Sequence, residues 1–241
     1  VLSGMKVFQG YTDGSFQPKG AITRAEVAAI VYRLYTGDVA DKQASLYATY
    51  NKFSDMDGAA WAKGYIGYCA NAGLVKGYDA KTFGPSDKVT GYQALAMILR
   101  AMGYDKNGEF TGANWQLYVA QTAQQLGILK NAGGESLQAP ASRQLVAELL
   151  FQAIQKPCVT YTPAFGYVAN SVVGKQDSLG VKNFGLTKTD ADSSADKWGR
   201  PYYVWFDARD TTNGKYSATL STVYATVKAT PDVKYTTKVT E

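Results

Sequence analysis

Histidine is absent from the 241 residues of this chain, and its absence excludes the commonest catalytic and metal-binding sites within them. Ser-His-Asp triads, Cys-His pairs and histidine-ligated metal centres all require an imidazole. Glycine-rich phosphate loops of the two usual spacings are also missing. Two carboxylates can hydrolyse a glycosidic bond, but no Asp or Glu pair lies in a context that predicts a cleft with a raised pKa. We therefore predict no enzyme activity, no catalytic residue, no metal site and no cofactor.

Cysteine is scarce as well. The two cysteines, Cys69 and Cys158, are 89 positions apart and fall in different predicted elements, which matches neither a disulfide framework nor a metal-ligand spacing. An isolated cysteine usually behaves as a small hydrophobic residue. Two buried thiols are therefore the favoured interpretation, and a single disulfide bridge is the alternative.

Long apolar runs are missing too, since no stretch approaches the roughly 18 apolar residues of a membrane-spanning helix. The first six residues, VLSGMK, lack the basic and apolar segments of a signal peptide, so we expect any export signal to lie outside this chain. The net charge is +5, from 25 Lys and Arg against 20 Asp and Glu. Because these charges form no basic run, they suit an anionic polymer better than nucleic acid.

An internal repeat organises the first two thirds of the chain. Residues 8–18 (FQGYTDGSFQP) and residues 75–85 (VKGYDAKTFGP) align without a gap, and in each copy the last Phe, Phe16 or Phe83, precedes a Thr by seven positions. A fainter third copy covers residues 129–140 (LKNAGGESLQAP), with Leu137 in place of Phe and two residues fewer before Ser142. Self-similarity of this kind predicts repeated structural units.

Each loop leads into a helix-start signal. In the first two copies a capping Thr is followed three positions later by Glu or Gln, which predicts a capping box, whereas Ser142 keeps only the hydroxyl. The pairs are Thr23 with Glu26 and Thr90 with Gln93. A Trp also lies twelve positions before a Gly that ends an amphipathic stretch, as Trp61 with Gly73 and as Trp115 with Gly127. Each unit is therefore predicted as helix, turn-rich loop and helix.

The segments GYTDGSFQPKGAITRAE and WAKGYIGYCANAGLVKGYDAKTFGPSDKVT resemble S-layer homology repeats, and the resemblance covers about residues 1–156. It implies that three copies pack into a pseudo-threefold bundle. Grooves between copies would bind secondary cell-wall polymers, often pyruvylated, or peptidoglycan-linked glycans. Two departures from the family pattern stand out. The first copy lacks its Trp-bearing helix, and Gly91 replaces the family's Arg in the middle copy.

The expected fold class is α+β: an α-helical pseudo-threefold bundle of three helix-loop-helix repeats, the first truncated, followed by a small antiparallel β domain. The predicted boundaries are residues 1–37 for the first repeat and 38–104 for the second repeat with its linker. Residues 105–156 form the degenerate third repeat, and residues 157–241 form the β-rich domain, which we expect to be incomplete.

The resemblance also assigns candidate ligand-binding residues. Arg24 and Arg143 hold the family's Arg position at a helix start, where a guanidinium and backbone N–H donors together suit a carboxylate or phosphate. The other candidates lie in the loops, at the loop entrances and at the helix openings: Tyr11, Tyr78, Asp13, Asp79, Lys76, Lys130, Trp61 and Trp115. Because the middle copy lacks its Arg and the third copy its Phe, we predict one good groove rather than three.

Each candidate also has a purely structural interpretation. An aromatic residue that opens an amphipathic helix more often packs inward, which would make both tryptophans core residues. An Asp in a tight loop usually accepts hydrogen bonds from its own backbone. Arg24 is equally well placed to bind a ligand or to pair with a neighbouring carboxylate or loop carbonyl.

After Lys156-Pro157 the pattern becomes strand-like. Predicted strands cover residues 159–161, 166–173, 181–186, 202–206, 222–227 and 234–240. Asn213-Gly214 predicts a hairpin turn, and residues 187–197 a mobile loop. The aromatic residues here are expected to pack a small β core rather than to form a carbohydrate-facing surface. The last predicted strand has nothing after it, so we expect the native chain to continue.

Together these observations predict a non-catalytic bacterial cell-surface module that anchors its protein to an anionic wall polymer. Its partners would be cell-wall polysaccharide or peptidoglycan, with no nucleic acid and no membrane span. Two alternatives remain. The chain is either a structural subunit of an S-layer lattice or surface fibre, which self-associates, or the anchor portion of a larger exported enzyme.

Overall fold

The structure is a computed structural model, and it describes residues 2–3, 5–132, 134–174, 178–184, 187–189 and 204–206. The described residues fall into two compact units. Leu2 and Lys6–Asn183 form the first unit. Residues 3, 5, 184, 187–189 and 204–206 belong to the second. All of the candidate ligand-binding residues lie in the first unit.

The described residues contain six α-helices: α1 (Arg24–Thr36), α2 (Lys63–Asn71), α3 (Gly91–Ala101), α4 (Trp115–Gln125), α5 (Arg143–Ala153) and α6 (Leu179–Phe184). Short 3-10 turns cover Ala44–Tyr50, Ala60–Ala62, Ile128–Asn131 and Asn170–Val173. The described part of the chain is therefore mixed in structure but mainly helical. The helices α2 and α4 precede the second and third loops, and α1, α3 and α5 follow the three loops.

The predicted helix starts are confirmed. Side-chain oxygens of Thr23, Thr90 and Ser142 each accept a hydrogen bond from the backbone N–H three residues later. Glu26 and Gln93 complete capping boxes by accepting from the backbone N–H of the capping Thr, at 2.7 and 3.0 Å. Ser142 has no such partner, and its hydroxyl instead donates to Glu135 at 2.8 Å. The helix ends follow the pattern too, since Gly73 and Gly127 both have positive φ.

A closed ring of backbone hydrogen bonds joins the segments that precede α1, α3 and α5. The N–H of Ile22 donates to the carbonyl of Ala141 at 3.1 Å, and the N–H of Val89 donates to Ile22 at 3.1 Å. The N–H of Ala141 closes the ring by donating to Val89 at 2.8 Å. All three residues are fully buried. Because buried backbone groups need partners, each segment depends on the other two for its hydrogen bonds.

The helix α3 lies at the centre of the first unit. Nine of its eleven residues are buried, and it packs against α1, α4 and α5. In turn α1 packs against α2, and α2 packs against the 3-10 turn Ala44–Tyr50. This last contact is close, because a Cβ added at Gly64 would lie 1.8 Å from the carbonyl oxygen of Ala44. Gly64 therefore lets the 3-10 turn approach α2.

The strands of the first unit form one hairpin. Strand β1 (Val159–Thr162) pairs antiparallel with β2 (Gly166–Ala169), and Val159 lies opposite Ala169. The predicted strand at 159–161 is confirmed, but the one predicted at 166–173 ends at Ala169, where a 3-10 turn begins. Both strands of the hairpin lie in the same compact unit as α1–α5.

The strand predicted at 181–186 is wrong over residues 181–184, which belong to α6. The hydroxyl of Ser178 accepts from the N–H of Val181, and the carbonyl of Ser178 accepts from the N–H of Lys182, so a capped helical turn begins here. The side-chain amide of Asn183 then donates to the carbonyls of Leu34 and Tyr35 at 2.8 and 2.7 Å. These contacts outweigh the strand preference of Val181, which is a weak local tendency.

In the second unit, β3 (Thr187–Thr189) pairs antiparallel with β4 (Val204–Phe206), and Thr187 lies opposite Phe206. The strand predicted at 202–206 is confirmed over residues 204–206. The loop predicted at 187–197 is wrong at its start, because backbone pairing with β4 makes residues 187–189 a strand. The turn at Asn213-Gly214 and the strands at 222–227 and 234–240 lie outside the described residues.

The expectation that both cysteines are buried thiols is met. Cys69 and Cys158 are buried thiols, neither of them in a disulfide, and burial raises the pKa of the Cys69 thiol. Among the helices that the structure describes, none has the length and apolar character needed to cross a membrane.

Replacing Ile22 by Ala tests the buried ring. Because Ile22 is fully buried, we expect its truncation to leave a cavity and to lower the free energy of unfolding by about 2–5 kcal/mol, as measured by urea denaturation. Lys19→Ala, in the exposed part of the same segment, is the control and should change it by less than about 0.5 kcal/mol. Equal effects of the two substitutions would contradict the assignment of this segment to the core.

Candidate functional site

In each of the first two loops, a carboxylate of the loop itself accepts hydrogen bonds from the backbone of that loop. In the first loop the N–H of Tyr11 donates to the carbonyl of Ser15, and Asp13 accepts from the N–H of Ser15 at 2.8 Å. In the second loop Asp79 accepts from two backbone N–H groups, at 2.7 and 2.8 Å. These backbone hydrogen bonds lower the pKa of both carboxyls. The turn-forming interpretation of Asp13 and Asp79 is thereby confirmed.

Arg143 extends from the start of α5 into the first loop. Its Nε donates to the carbonyl of Phe16 and its Nη2 to the carbonyl of Gln9, both at 2.8 Å. Its Nη1 donates to Glu26 at 3.1 Å. The guanidinium carbon also lies 4.4 Å from the centre of the Tyr11 ring. Arg143 is therefore a buried cation that is bound both to the first loop and to α1.

Arg24 repeats this arrangement in the second loop. Its Nε donates to the carbonyl of Phe83 and its Nη2 to the carbonyl of Lys76, both at 2.8 Å. The guanidinium carbon lies 4.5 Å from the ring centre of Tyr78 and 4.6 Å from that of Phe83. The structural interpretation of Arg24, pairing with loop carbonyls, is confirmed. Whether either arginine also contacts a ligand remains a prediction.

The expectation that free N–H donors accompany these arginines is wrong. The backbone N–H of Arg24 donates to the carbonyl of Asp87, and that of Arg143 donates to Gly20, both at 2.9 Å. The next N–H in each helix donates to the carbonyl of a loop proline, Pro85 or Pro18. The loops fold back onto the helix starts, so these donors already have partners. An anion would have to bind elsewhere.

The third contact between a loop and the start of a helix, that of the third loop with α3, contains no arginine. At the equivalent position of α3 stands Gly91, and a Cβ added there would lie 2.8 Å from the Cα of Leu137. The N–H of Tyr92 donates to the carbonyl of Leu137 at 3.1 Å. The shortened third loop therefore occupies the space of the missing side chain. The two departures from the repeat pattern, Gly91 and the degenerate third loop, meet at one contact.

Two clefts open beside the buried arginines, and their linings correspond position by position. The first cleft, of about 140 Å³, is lined by Gln9, Gly10, Tyr11, Glu26, Ala29, Ile30, Arg33, Trp61 and Arg143. The second cleft, of about 420 Å³, has at the matching positions Lys76, Gly77, Tyr78, Gln93, Ala96, Met97, Arg100, Trp115 and Arg24, and is also lined by Phe110, Thr111 and Gly112. Each cleft thus lies between a loop, a helix that follows a loop, and a tryptophan.

The two clefts differ in charge. Glu26 lines the first cleft, whereas neutral Gln93 occupies the same position in the second. Gln9 of the first cleft is replaced by Lys76, whose side chain is 47% exposed. The second cleft therefore carries three cationic side chains and no carboxylate among its lining residues. Of the two clefts, the second therefore has the more positively charged lining.

A buried carboxylate beneath the second cleft fixes two of its cations. The side chain of Asp105 is 1% exposed. It accepts hydrogen bonds from Nε of Arg100 at 2.6 Å and from Nζ of Lys76 at 3.1 Å. It also accepts from the N–H of Phe110 at 2.8 Å. Burial alone would raise the pKa of Asp105, but the Phe110 N–H and the Arg100 guanidinium outweigh it, and the pKa is lowered. In the first cleft Asp41 binds Arg33 in a similar way, through two hydrogen bonds.

The tryptophans lie at the openings of the clefts. Trp61 is 55% exposed, so the expectation that it packs in the core is wrong. It belongs to the 3-10 turn Ala60–Ala62, in which Ala62 rather than Trp61 faces inward. Trp115 is half-buried and lies 6.3 Å, ring centre to ring centre, from Tyr92. Both indole rings therefore remain accessible to a ligand.

The structure brings together seven of the ten predicted site residues. Three line the first cleft: Tyr11, Trp61 and Arg143. Four line the second: Arg24, Lys76, Tyr78 and Trp115. The other three, Asp13, Asp79 and Lys130, line neither. The sequence pattern did not lead us to Arg33 and Arg100 as cleft residues. They are 67 positions apart, which is also the spacing between Phe16 and Phe83 in the first two repeats, so the repeat spacing marks them as equivalent.

Replacing a buried arginine by lysine tests whether the planar guanidinium holds the loops. An ammonium cannot donate in a fork to two carbonyls, so we expect Arg143→Lys and Arg24→Lys each to lower the free energy of unfolding by about 2–4 kcal/mol, measured by urea denaturation. The matched control is Lys63→Arg at the exposed start of α2, which should have almost no effect. Unchanged stability in both arginine variants would refute this role.

Asp105 makes stability depend on pH in a defined direction. Because its pKa is lower in the folded chain, the carboxylate stabilises the fold above its unfolded pKa of about 3.9. That contribution is lost as the pH falls through the folded pKa. We expect Asp105→Asn to be less stable than the original chain at pH 7, with a smaller difference at pH 3, in urea denaturation at both values. A difference independent of pH would contradict this account.

Comparison with known proteins agrees with this geometry. The sequence model of the S-layer homology domain matches residues 2–28 and 52–95. A surface layer protein of Brevibacillus choshinensis is 28% identical over 137 residues, 57% of this chain and 12% of that protein. A cellulosome-anchoring protein of Acetivibrio thermocellus is 34% identical over 112 residues, 46% of this chain and 24% of that protein. An amylopullulanase of Thermoanaerobacterium thermosulfurigenes is 28% identical over 171 residues, 65% of this chain and 9% of that protein.

The chain thus spans about a quarter or less of the length of these relatives. The matched residues contain both complete loops and the starts of α1 and α3. They include more than half of the residues that line the first cleft, whereas the third repeat, residues 105–156, lies outside them. The matches and the relatives indicate an extracellular, cell-surface location. Two segments of the chain are therefore similar to the S-layer homology domain, and the relatives of the chain include surface-layer and cellulosome-anchoring proteins.

Proposed function

We propose that this chain anchors its protein to the bacterial surface by binding an anionic wall glycan, with the second cleft as the principal site. The observation that carries the proposal is the set of three cations around that cleft, Arg24, Lys76 and Arg100, beside Tyr78 and Trp115. Cations attract the acidic groups of a polymer, and accessible aromatic rings offer flat apolar faces to sugar rings. No carboxylate lines the cleft to oppose an acidic ligand.

We propose further that the three helix-loop-helix units close into one pseudo-threefold bundle. The ring of hydrogen bonds through Ile22, Val89 and Ala141 supports this arrangement. So do Arg24 and Arg143, each of which reaches from the helix of one unit into the loop of another. The unit boundaries, residues 1–37, 38–104 and 105–156, with a β-rich region from 157 to 241, remain predictions.

The ligand class follows from the chemistry of the cleft. A pyruvylated or otherwise acidic secondary wall polymer, or an acidic peptidoglycan-linked glycan, carries both carboxylates and sugar rings. A purely inorganic anion would leave Trp115 and Tyr78 without a role, and nucleic acid would need a longer cationic surface. The prediction of a single good groove is accordingly narrowed to the second cleft. We expect the smaller first cleft, which contains Glu26, to bind more weakly.

The relatives favour two alternative roles for the protein to which this chain belongs. Similarity to an amylopullulanase supports a role as the anchor of a larger exported enzyme. Catalysis would then lie elsewhere in that protein. Similarity to a surface layer protein supports a structural subunit. Both alternatives use the same wall-binding step. They differ in whether purified protein forms ordered arrays and in what the remainder of the gene encodes.

Two lysines at equivalent loop positions provide a matched test of the cleft. Lys76 lines the second cleft, whereas Lys130 is exposed and lines neither cleft. We expect Lys76→Ala to weaken co-sedimentation with purified walls about two- to fivefold, and Lys130→Ala to leave it unchanged. Binding should also decrease at high salt and after extraction of the acidic wall polymer.

Trp115→Ala extends this test to the aromatic side of the cleft, where we expect a loss of about five- to tenfold. An equal loss in Lys76→Ala and Lys130→Ala would mean that only net charge matters and would remove the assignment. Retention on polymer-free walls would refute the proposed ligand.

A further inference from the structure

A third cleft lies on the outer side of the loop that follows α3. Three tyrosines from separate elements line it: Tyr104 from that loop, Tyr118 from α4 and Tyr167 from β2. Gln121 and Gln125 of α4 complete its polar side. Its volume is about 380 Å³. We call it the tyrosine cleft; none of its residues is among the predicted site residues, and Phe110 alone is shared with the second cleft.

The aromatic side of the tyrosine cleft is firmly positioned. The rings of Tyr104 and Tyr167 lie 5.2 Å apart, centre to centre. The hydroxyl of Tyr167 donates to Glu109 at 2.7 Å and accepts from the N–H of Lys106 at 2.8 Å. Tyr118, by contrast, is 45% exposed on α4. Two fixed rings and one accessible ring thus surround the opening, which gives a ligand flat apolar surfaces without a need to reorder the protein.

The polar side consists of groups that both donate and accept hydrogen bonds. Gln121 and Gln125 are exposed, and neither side chain has a hydrogen-bond partner within the described residues. A carboxamide offers two donors and one acceptor oxygen, which matches the mixed character of sugar hydroxyl and acetamido groups. Aromatic walls with a few convergent polar groups are typical of sites for small organic ligands.

The charges of the tyrosine cleft argue against an ionic ligand. No Lys or Arg lines it. Its two carboxylates are already engaged: Asp105 by Arg100, Lys76 and the Phe110 N–H, and Glu109 by Tyr167 and Asn107. An acidic ligand here would meet two carboxylates and no cation among the residues that line the cleft. The second cleft, on the other side of Phe110, has the opposite character.

From this arrangement we propose that the tyrosine cleft is a separate binding site for uncharged hexopyranose units of a glycan. Since Phe110 lines both clefts, a glycan chain that crosses the 104–112 loop contacts both. Acidic units would bind in the second cleft and neutral units in the tyrosine cleft. This pairing rests on the proposed function, but the tyrosine cleft itself does not, because its ligand carries no charge.

The experiment titrates the full 241-residue chain with two neutral probes, a β-1,4-linked N-acetylglucosamine tetrasaccharide and cellotetraose, by calorimetry or NMR. We expect at least one of them to bind with a millimolar dissociation constant. Tyr118→Ala should weaken that binding about five- to tenfold. Leu117→Ala is the matched control, because Leu117 is 54% exposed on the same helix but does not line the cleft, and it should bind as the original chain does.

Further outcomes separate this site from the proposed wall-binding cleft. Added salt should leave the affinity for neutral tetrasaccharides unchanged, whereas it should weaken binding at the cationic second cleft. Gln125→Ala, at an exposed position, should weaken the affinity for the neutral probe and serves if Tyr118→Ala folds poorly. The proposal is overturned if neither probe binds at about 20 mM, a concentration well above a millimolar dissociation constant. It is also overturned if Tyr118→Ala and Leu117→Ala bind equally.

Discussion

Two buried guanidinium groups, those of Arg24 and Arg143, hold the loops against helices of other repeats, and each of them lines one of the two candidate clefts. Each group donates to two carbonyls of a loop and lies over aromatic rings of the same loop. A planar fork with a weakly hydrated face can do both, which a lysine ammonium cannot. The ring that covers each guanidinium, Tyr11 or Tyr78, also lines the adjoining cleft. Stability and the shape of the candidate site therefore depend on the same side chains.

The contact between α3 and the loop of the third repeat shows the packing that replaces a buried arginine. Gly91 provides no side chain, and Leu137 of the shortened loop fills the space against α3. The loss of an arginine and the loss of a loop aromatic are thus one local change in packing rather than two independent ones. The remaining clefts have diverged as well, since Glu26 in one corresponds to Gln93 in the other. Repeats with the same backbone arrangement therefore present clefts of different charge.

Local features of the fold were predictable because they depend on residues close in sequence. The capping boxes at Thr23 and Thr90 and the positive φ at Gly73 and Gly127 follow from short-range chemistry. The partners of the arginines were not predictable, because Arg24 reaches a carbonyl 59 positions away and Arg143 one 127 positions away. The exposure of Trp61 and the helix at Val181 depended on tertiary packing in the same way. Repeat spacing could have identified Arg33 and Arg100, but their contacts with Asp41 and Asp105 required coordinates.

In the proposed complex, acidic glycan units lie beside Trp115, within reach of Lys76 and Arg100. Its most direct test uses the indole N–H signals of the four tryptophans in NMR spectra of the chain, recorded during titration with an acidic fragment of the wall polymer. We expect the Trp115 signal to shift most, the Trp61 signal to shift less, and both shifts to diminish with added salt. Shifts confined to Trp198 and Trp205, or no shift at saturating fragment, would contradict it.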